Sequence, residues 1–316
     1  MMKGLTKMKI VFLDAKTIGD DIDLSAFEEI GEFVKYDDTT TEEVAERVND
    51  ADVILTNKVK INESTIGGAS QLKLVCLTAT GTDNLDKDYL SGRGIEWRNV
   101  AGYSTNSVAQ ATFSLLFYVL MKSRYYDDYV KSEDYISSNI FTHLDERFFE
   151  LKEKTWGIIG LGAIGRKVAE IAKAFGCRVI YYSTSGKNYQ PDYKQVDFDT
   201  LLANSDIVSI HAPLNDATLN LIDKQALKKM KSSAFLINVG RGPIIVEEDL
   251  ADALNNNIIA GAGLDVLTIE PMSADNPLRH IKDSRKLFIT PHIAWGSIES
   301  RTRLMRLVLN NIKNYF

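Results

Sequence analysis

Residue types that build disulfide frameworks, zinc sites and basic surfaces are scarce in this sequence. Its 316 residues include two cysteines and four histidines, and 43 acidic side chains outnumber 37 basic ones, for a formal net charge of -6. Cys76 and Cys177 lie in apolar segments that predict strands, so buried core thiols are the simpler interpretation, and nothing indicates a disulfide or a metal site. Without a long basic run, this charge also argues against nucleic acid or an anionic membrane as a partner.

Hydrophobic runs long enough to cross a bilayer are missing as well. The longest, residues 108–121, is interrupted by Gln110, Thr112 and Ser114 and is shorter than the roughly 20 residues that a membrane span needs. The first residues lead directly into a strand pattern and lack the apolar core of a signal peptide. We therefore expect a protein of the reducing cytoplasm.

The length and the order of patterns predict two α/β units. A chain of 316 residues is expected to form two domains rather than one. In the first hundred residues, strands are predicted at 10–13, 53–55, 72–77 and 95–100, with helices at 25–30 and 41–48. This alternation is typical of a parallel, doubly wound sheet. A second unit of the same kind follows around a glycine motif.

That motif is the stretch W-G-I-I-G-L-G-A-I-G at residues 156–165. An apolar strand pattern leads into Gly160, Gly162 and Gly165, a helical pattern follows, and a second strand is predicted at 177–182. The first glycine permits a tight turn, the second lets backbone N–H groups approach a pyrophosphate, and the third lets helix and strand pack closely. The helix N-terminus adds partial positive charge facing the phosphates. A bare G-x-G-x-x-G is weak, but this context predicts a dinucleotide site.

A nearly all-apolar helix and an aromatic segment lie between the two units. Side chains at 104–106 can cap the helix, which should be buried on every side, between domains or against another subunit. The aromatic segment, residues 122–154, is predicted to be a helix and a loop that extend from the second unit. An ordinary surface excursion remains the simpler interpretation, whereas its many aromatic side chains favour a subunit contact in a homodimer.

Three ionisable residues follow strand ends of the second unit, where doubly wound sheets bind ligands. They are Arg241, Glu270 and His292. An arginine suits a two-pronged grip on a carboxylate, and a histidine can exchange a proton with a carbonyl or hydroxyl. A glutamate on the other ring nitrogen would fix the tautomer. With a nicotinamide cofactor, this set describes hydride exchange between a 2-hydroxy acid and a 2-oxo acid.

Each of the three also has a simpler interpretation. An arginine in a glycine-flanked turn often clamps a phosphate or the backbone. A glutamate before proline is usually a solvated loop residue, and a lone histidine is usually structural. Position alone leaves both interpretations open.

Ordered motifs along nearly the whole chain resemble the D-isomer-specific 2-hydroxyacid dehydrogenases. They are the glycine motif, N-V-G-R-G (238–242), G-A-G-L-D-V (261–266), E-P (270–271) and P-H-I-A-W (291–295). The resemblance implies an α/β fold of two doubly wound parallel-sheet domains. A Rossmann domain that binds NAD or NADP, residues 104–291, would be inserted in a flavodoxin-like substrate domain of residues 1–103 and 292–316.

The same resemblance implies a role for each site residue. Arg241 would hold the substrate carboxylate and polarise the oxo group, His292 would be the acid/base, and Glu270 its partner. Backbone N–H groups of Ala79, Thr80 and Gly81 would bind the same carboxylate, and Trp295 would wall a small pocket. The remaining residues would bind the cofactor: Gly160, Gly162, Ala163, Ile164 and Gly165 in the glycine turn, Ser183 and Thr184 near the ribose, Ala212, Pro213, Val239 and Gly240 along the cofactor, and Asp265 at the nicotinamide carboxamide.

Within the family, the motifs around 103–110 and 292–295 are most similar to the glycerate dehydrogenases, also called hydroxypyruvate reductases. The expected substrates are D-glycerate and hydroxypyruvate, or glyoxylate. Phosphoglycerate dehydrogenase is an alternative, disfavoured because no regulatory domain follows the last helix. A corepressor with this fold that senses dinucleotides is another, disfavoured by the compact chain without a basic patch.

The position that selects between NAD and NADP departs from the common pattern. An NAD-selective site carries Asp or Glu at the end of the second strand, where it binds the ribose and repels a 2′-phosphate. Here that position is Ser183, followed by Thr184, Ser185 and, two residues later, Lys187. A polar turn that tolerates either cofactor and a true preference for NADP both remain open.

Overall fold

The computed structural model describes residues 7–187 and 189–316. They form two compact units, one of residues up to Ser104 together with Gly296–Phe316, the other of Thr105–Trp295. The prediction for the first residues of the chain falls largely on residues 1–6, outside the described part.

The described residues contain twelve strands, paired in parallel throughout. In chain order they are β1 (Lys9–Phe12), β2 (Glu32–Lys35), β3 (Val53–Thr56), β4 (Leu74–Leu77), β5 (Glu96–Arg98), β6 (Thr155–Ile159), β7 (Arg178–Tyr182), β8 (Lys194–Gln195), β9 (Ile207–Ile210), β10 (Phe235–Asn238), β11 (Gly261–Leu264) and β12 (Leu287–Ile289). The helices are α1 (Ser25–Glu28), α2 (Thr41–Arg47), α3 (Glu63–Ile66), α4 (Lys87–Gly92), α5 (Thr105–Leu120), α6 (Ser123–Val130), α7 (Glu133–Ile136), α8 (Ala163–Ala174), α9 (Phe198–Asn204), α10 (Lys224–Lys229), α11 (Glu247–Asn255) and α12 (Ile298–Lys313).

The sheet of the first unit has the order β2-β1-β3-β4-β5, that of flavodoxin-like folds. Strands β3 and β4 are buried along their whole length, as parallel strands covered on both faces should be. Helix α12 packs against β4 through a stripe that includes Leu304 and Val308. Near its end, Arg98 donates to the carbonyl of Asn311 at 2.7 Å, which ties this helix to β5.

The sheet of the second unit has the order β12-β11-β10-β9-β6-β7-β8. This is the Rossmann order with β12 added in parallel, and the order reverses between β6 and β9. Trp156 is fully buried, and its indole N–H donates to Ser209 at 2.8 Å, which joins these two strands across the point of reversal. The predicted fold class, a Rossmann unit inserted in a flavodoxin-like one, is confirmed.

The structure differs from the sequence expectation in short elements and in both boundaries of the second unit, which begins at Thr105 rather than at residue 104. Strand β2, strand β8 and helices α3, α4 and α9 were not predicted, because each is short or lacks a continuous apolar pattern. The second unit ends after Trp295, whereas the predicted boundary precedes His292. Residues 293 and 294 belong to it because their backbone N–H groups donate to the carboxylate of Asp265, and the carbonyl of Ala294 accepts from Ser107.

Helix α5 buries one broad face, including Val108, Phe113 and Leu116, while Gln110 and Ser114 stay exposed within the chain. After it, helices α6 and α7 lead into a loop that displays apolar side chains to solvent. We call residues 122–150 the arm. Its most exposed apolar side chain is Phe141, at 89%.

The two cysteines are free, buried thiols, as the sequence predicts. Burial raises the pKa of Cys76 to about 12 and that of Cys177 to about 11. Among the helices of residues 7–187 and 189–316, none is long and apolar enough to cross a membrane. In the same residues no cluster of His, Cys, Asp or Glu side chains is arranged to hold a metal ion.

Candidate active site

The glycine turn lies at the carboxyl end of β6, beside the point where the strand order reverses. Gly160 has a φ of +89°, and a Cβ there would lie 2.8 Å from the backbone of Ala212. A Cβ on Gly165 would lie 2.3 Å from the carbonyl oxygen of Gly160. At Gly162, the residue before α8, a Cβ would meet nothing within 4 Å. Packing therefore requires glycine at 160 and 165, whereas Gly162 faces the open space that a pyrophosphate needs.

Ala163 and Ile164 form the first turn of α8, exposed and half-buried respectively. They place the helix N-terminus at the opening in front of Gly162, where its N–H groups favour an anion. The turn thus has both features expected of a pyrophosphate cradle.

Ser183 follows directly on β7, in a tight turn closed by a hydrogen bond of 3.4 Å from the Gly186 N–H to its carbonyl oxygen. The residue is 8% exposed, and its hydroxyl oxygen has no hydrogen-bond partner among the described residues. Buried polar groups in proteins are almost always paired. Thr184 beside it is half-buried, and Lys187 is exposed. The unpaired hydroxyl fits a ligand group, such as a ribose hydroxyl or a phosphate, at this position.

Three turns converge on Ala212. The N–H of His211 donates to the carbonyl of Ile159 at 2.8 Å, which ties the end of β9 to that of β6. A Cβ on Gly240 would lie 3.0 Å from the Ala212 carbonyl oxygen, so the turn after β10 touches the same residue. Pro213 and Val239 continue the two segments, exposed and half-buried respectively.

The turn that contains Arg241 is held by Asn238, a buried residue for which the sequence predicts no role of its own. The Asn238 amide accepts from the N–H of Gly240 at 3.0 Å and donates to the carbonyl of Arg241 at 2.9 Å. The half-buried guanidinium itself donates to the Gly240 carbonyl. A Cβ on Gly242 would lie 2.0 Å from the carbonyl oxygen of Leu267. The Arg241 turn is therefore packed directly against the segment that carries Glu270.

Glu270 and His292 form a hydrogen-bonded pair. Oε2 of Glu270 lies 2.7 Å from Nδ1 of His292, and Oε1 accepts from the backbone N–H of Leu267 at 2.9 Å. His292 has a φ of +55° and donates its own N–H to the carbonyls of Asp265 and Thr290. These hydrogen bonds thus hold the unusual backbone conformation of His292. Its side chain is about a quarter exposed. Such strain is often concentrated at functional sites.

Asp265 supports the segment that carries His292. Its carboxylate accepts from the hydroxyl of Thr290 at 2.6 Å and from the N–H groups of Ile293 and Ala294, each at 2.9 Å. Burial raises the pKa of Asp265, and these hydrogen bonds and the nearby His292 oppose that rise. Contact with a nicotinamide carboxamide stays a prediction. The observed contacts hold the histidine segment in place.

The other predicted substrate-binding residues lie elsewhere in the chain. Ala79, Thr80 and Gly81 follow β4 in the first unit, where the Ala79 carbonyl accepts from the N–H of Val100 at 3.0 Å. The Thr80 hydroxyl donates to the carbonyl of Val100 at 2.8 Å, so this loop is tied to the end of β5. Trp295 is half-buried at the end of the second unit. Their roles toward a substrate remain predictions.

Comparison with known proteins agrees with this geometry. A sequence model of the D-isomer specific 2-hydroxyacid dehydrogenase NAD binding domain matches residues 113–294. The chain is 36% identical to hydroxypyruvate reductase of Blautia hydrogenotrophica over 98% of its length and 97% of the relative's. It is 35% identical to glycerate dehydrogenase of Methylorubrum extorquens, over 97% and 96%.

Among solved structures, an acyclic imino acid reductase in complex with NADPH and D-Arg superimposes with a TM-score of 0.85 at 33% identity, covering 98% of this chain and 97% of that one. The similarities span both units and include the segments in which the glycine turn, Arg241, Glu270 and His292 lie. The chain therefore belongs to the D-isomer-specific 2-hydroxyacid dehydrogenases, oxidoreductases that use a nicotinamide dinucleotide.

Proposed function

We propose that this enzyme reduces a short 2-oxo acid, hydroxypyruvate or glyoxylate, to the D-2-hydroxy acid, and catalyses the reverse oxidation of D-glycerate. The observation that carries the proposal is the Glu270–His292 pair, held by packing against the Arg241 turn at the carboxyl edge of the sheet. The relatives named for hydroxypyruvate and glycerate cover nearly the whole chain and support the substrate class.

Each of the three side chains has a distinct task in the proposed reaction. The bound nicotinamide supplies the hydride that reduces the oxo carbon. With Nδ1–H donated to Glu270, the Nε2–H of a protonated His292 gives its proton to the oxo oxygen, and the carboxylate stabilises the charged ring until then. Arg241 binds the substrate carboxylate with its planar fork and polarises the oxo group. In the oxidation, His292 takes the hydroxyl proton.

A direct assay tests the proposal. Purified protein, reduced cofactor and hydroxypyruvate should give a loss of nicotinamide absorbance that depends on both the cofactor and the oxo acid. Binding of the dinucleotide without turnover of hydroxypyruvate, glyoxylate or pyruvate would contradict the proposal and favour the corepressor-like alternative.

For the cofactor, we propose that NADPH is accepted at an appreciable rate beside NADH. The position that excludes a 2′-phosphate in NAD-selective sites is a serine here, and its buried hydroxyl lacks a partner among the described residues. Lys187, an exposed residue four positions later, adds a positive charge next to this turn. The solved relative that binds NADPH supports this proposal.

We also propose that the enzyme is a homodimer, assembled through the arm. Four apolar side chains within nine residues of the arm are more than 60% exposed: Ile136, Ile140, Phe141 and Leu144. So dense an apolar patch is unusual on a surface that faces only water. A two-fold axis is the simplest symmetry that would cover it. The cytoplasm remains our proposed compartment, supported by the two free, buried thiols.

A further inference from the structure

Glu247 is a buried carboxylate that none of the proposed roles uses. It is the first residue of α11 and is 9% exposed. Its Oε1 accepts from the backbone N–H of Thr268 at 2.7 Å, and its Oε2 accepts from the side-chain amide of Asn276 at 2.7 Å. A buried carboxylate is costly unless hydrogen bonds satisfy it, and here both oxygens have partners on one segment of the chain.

That segment, residues 267–276, is the one that carries Glu270. Asn276 is itself 4% exposed, and its amide oxygen accepts from the N–H of Leu278 at 2.9 Å. The NH₂ group and the oxygen of this amide therefore both have partners. At the other end, the backbone at Leu267 and Thr268 packs on Gly242, where a Cβ would lie within 2.4 Å of either residue. Glu270 lies between these two fixed points. Its carboxylate binds the Leu267 N–H at one end and His292 at the other.

We propose that Glu247 is a positioning residue for the acid/base pair. Its carboxylate holds residues 267–276 against α11, and this sets the place from which Glu270 reaches Nδ1 of His292. The inference rests on the proposed roles of His292 and Glu270. A purely structural role is the competing account, because an acidic residue in the first turn of a helix also stabilises the helix by its charge.

The hydrogen-bond pattern provides a variant that breaks the contact and a second that restores it. In Glu247→Gln, the oxygen of the new amide still accepts from Thr268, but its NH₂ group faces the NH₂ group of Asn276. In the double variant Glu247→Gln/Asn276→Asp, called the exchanged pair, donor and acceptor change places. The introduced glutamine donates to the introduced aspartate, whose second oxygen still accepts from Leu278. Glu248→Gln, an exposed change in the same helical turn, is the matched control.

The readout is the pH profile of kcat/KM for oxo-acid reduction, measured on the full-length enzyme beside Glu270→Gln. Reduction needs the protonated ring, which a neighbouring carboxylate favours. Glu270→Gln should therefore move the alkaline limb to lower pH by about one unit or more. Asp265, a carboxylate whose pKa the nearby His292 lowers, is unchanged in all variants.

Glu247→Gln should move the limb in the same direction by less and lower kcat by roughly ten- to a hundredfold, because a small displacement of a catalytic group has effects of that size. The affinity for reduced cofactor should be unchanged. The exchanged pair should restore both kcat and the limb, whereas Glu248→Gln should leave both as in the wild type. If Glu247→Gln is not recovered as folded protein, Asn276→Ala takes its place. This variant keeps the Glu247 carboxylate and its bond to Thr268, and its alkaline limb should also move to lower pH.

If the alkaline limb does not move in Glu247→Gln, the inference is overturned, even where the thermal midpoint falls. That result would show a purely structural role and would leave the proposed function intact. Absence of oxo-acid reduction in the wild type would instead overturn the proposed function. An unmoved limb in Glu270→Gln would overturn the pairing of Glu270 with His292, and the inference with it.

Discussion

Nδ1 of His292 lies 2.7 Å from Oε2 of Glu270, while Oε1 of the same carboxylate accepts from the backbone N–H of Leu267. A carboxylate can only accept a hydrogen bond, so the ring presents Nδ1–H to it and leaves Nε2 for another partner. Because one oxygen is engaged by the backbone, the other cannot rotate away freely. The pair therefore fixes which ring nitrogen is available for proton transfer.

His292→Ala should remove the proton donor and leave the dinucleotide turn intact. We expect kcat for oxo-acid reduction to fall by roughly 10²- to 10⁴-fold, the usual contribution of general acid catalysis. Cofactor affinity, measured by nicotinamide fluorescence, should be largely unchanged. A variant that keeps wild-type kcat would exclude His292 as the acid.

Arg241→Lys should chiefly weaken substrate capture. An ammonium group cannot reproduce two parallel hydrogen bonds to a carboxylate, and a lost bond between charged groups costs about 1.5–3 kcal/mol. KM for hydroxypyruvate should rise roughly ten- to a hundredfold, with a smaller change in kcat. The exposed Arg279→Lys is a control that should leave KM unchanged.

The size of the preferred substrate tests the proposed role of Trp295. If this side chain walls the pocket, hydroxypyruvate and glyoxylate should be reduced faster than larger, branched oxo acids. The measurement is kcat/KM across this series with one cofactor. A maximum at 2-oxoisocaproate would contradict a small pocket.

The glycine turn and the residues at strand ends could be predicted because their positions follow from local patterns. An apolar run followed by Gly160, Gly162 and Gly165 requires a turn, and the edge of a parallel sheet brings distant strand ends together. The patterns thus indicate Arg241, Glu270 and His292 as site residues, but they give no distances between these side chains.

The residues that hold the site in place could not be predicted in the same way. Asn238 binds backbone groups across a turn, Glu247 binds a backbone N–H far along the chain, and Asn276 binds the side chain of Glu247. No periodicity marks such contacts. One signal was available, a polar Asn238 at the end of an apolar strand, and it can be interpreted only once its turn is known. Strand β2 was missed because Glu32 and Lys35 flank just two apolar residues.

The arm should hold two copies of the chain together. Light scattering should give the mass of a dimer at micromolar concentration, and Phe141→Glu/Leu144→Glu should shift the population toward monomer, because two charges would enter an apolar contact. Leu219→Glu, which changes a side chain 53% exposed elsewhere in the same unit, is the control. A monomeric wild-type protein would remove the argument.

His211 should make the fold sensitive to acid. Its ring Nδ1 is buried without a partner among the described residues, Nε2 lies 2.9 Å from the Ser209 hydroxyl, and burial lowers the pKa of the ring to about 3. The folded state thus keeps the ring neutral while the unfolded chain takes up a proton near pH 6.5. The effect of this group on the free energy of unfolding is therefore fully favourable above about pH 6.5. As the pH falls toward about 3, the free energy of unfolding decreases by at most about 1.4 kcal/mol per pH unit.

His211→Gln should accordingly flatten the decline of the thermal midpoint between neutral and acidic pH, since glutamine does not titrate. The comparison with the wild type cancels the contribution of carboxylates common to both proteins. Parallel curves for the two proteins would show that His211 does not titrate differently on unfolding.

Ser183→Asp should turn the enzyme toward NADH. If the buried Ser183 hydroxyl and the turn through Lys187 receive a 2′-phosphate, as we propose, kcat/KM with NADPH should be appreciable beside that with NADH in the wild type. An aspartate at the end of β7 would repel the phosphate, and a like-charge contact of this kind costs several kcal/mol. The ratio of kcat/KM for NADPH to that for NADH should therefore fall at least about tenfold, mostly through the loss with NADPH.

Ser183→Ala, which removes the hydroxyl without adding charge, should change this ratio much less. Strict selectivity for NADH in the wild type would refute the proposal, and would mean that the backbone around Thr184 excludes the phosphate sterically.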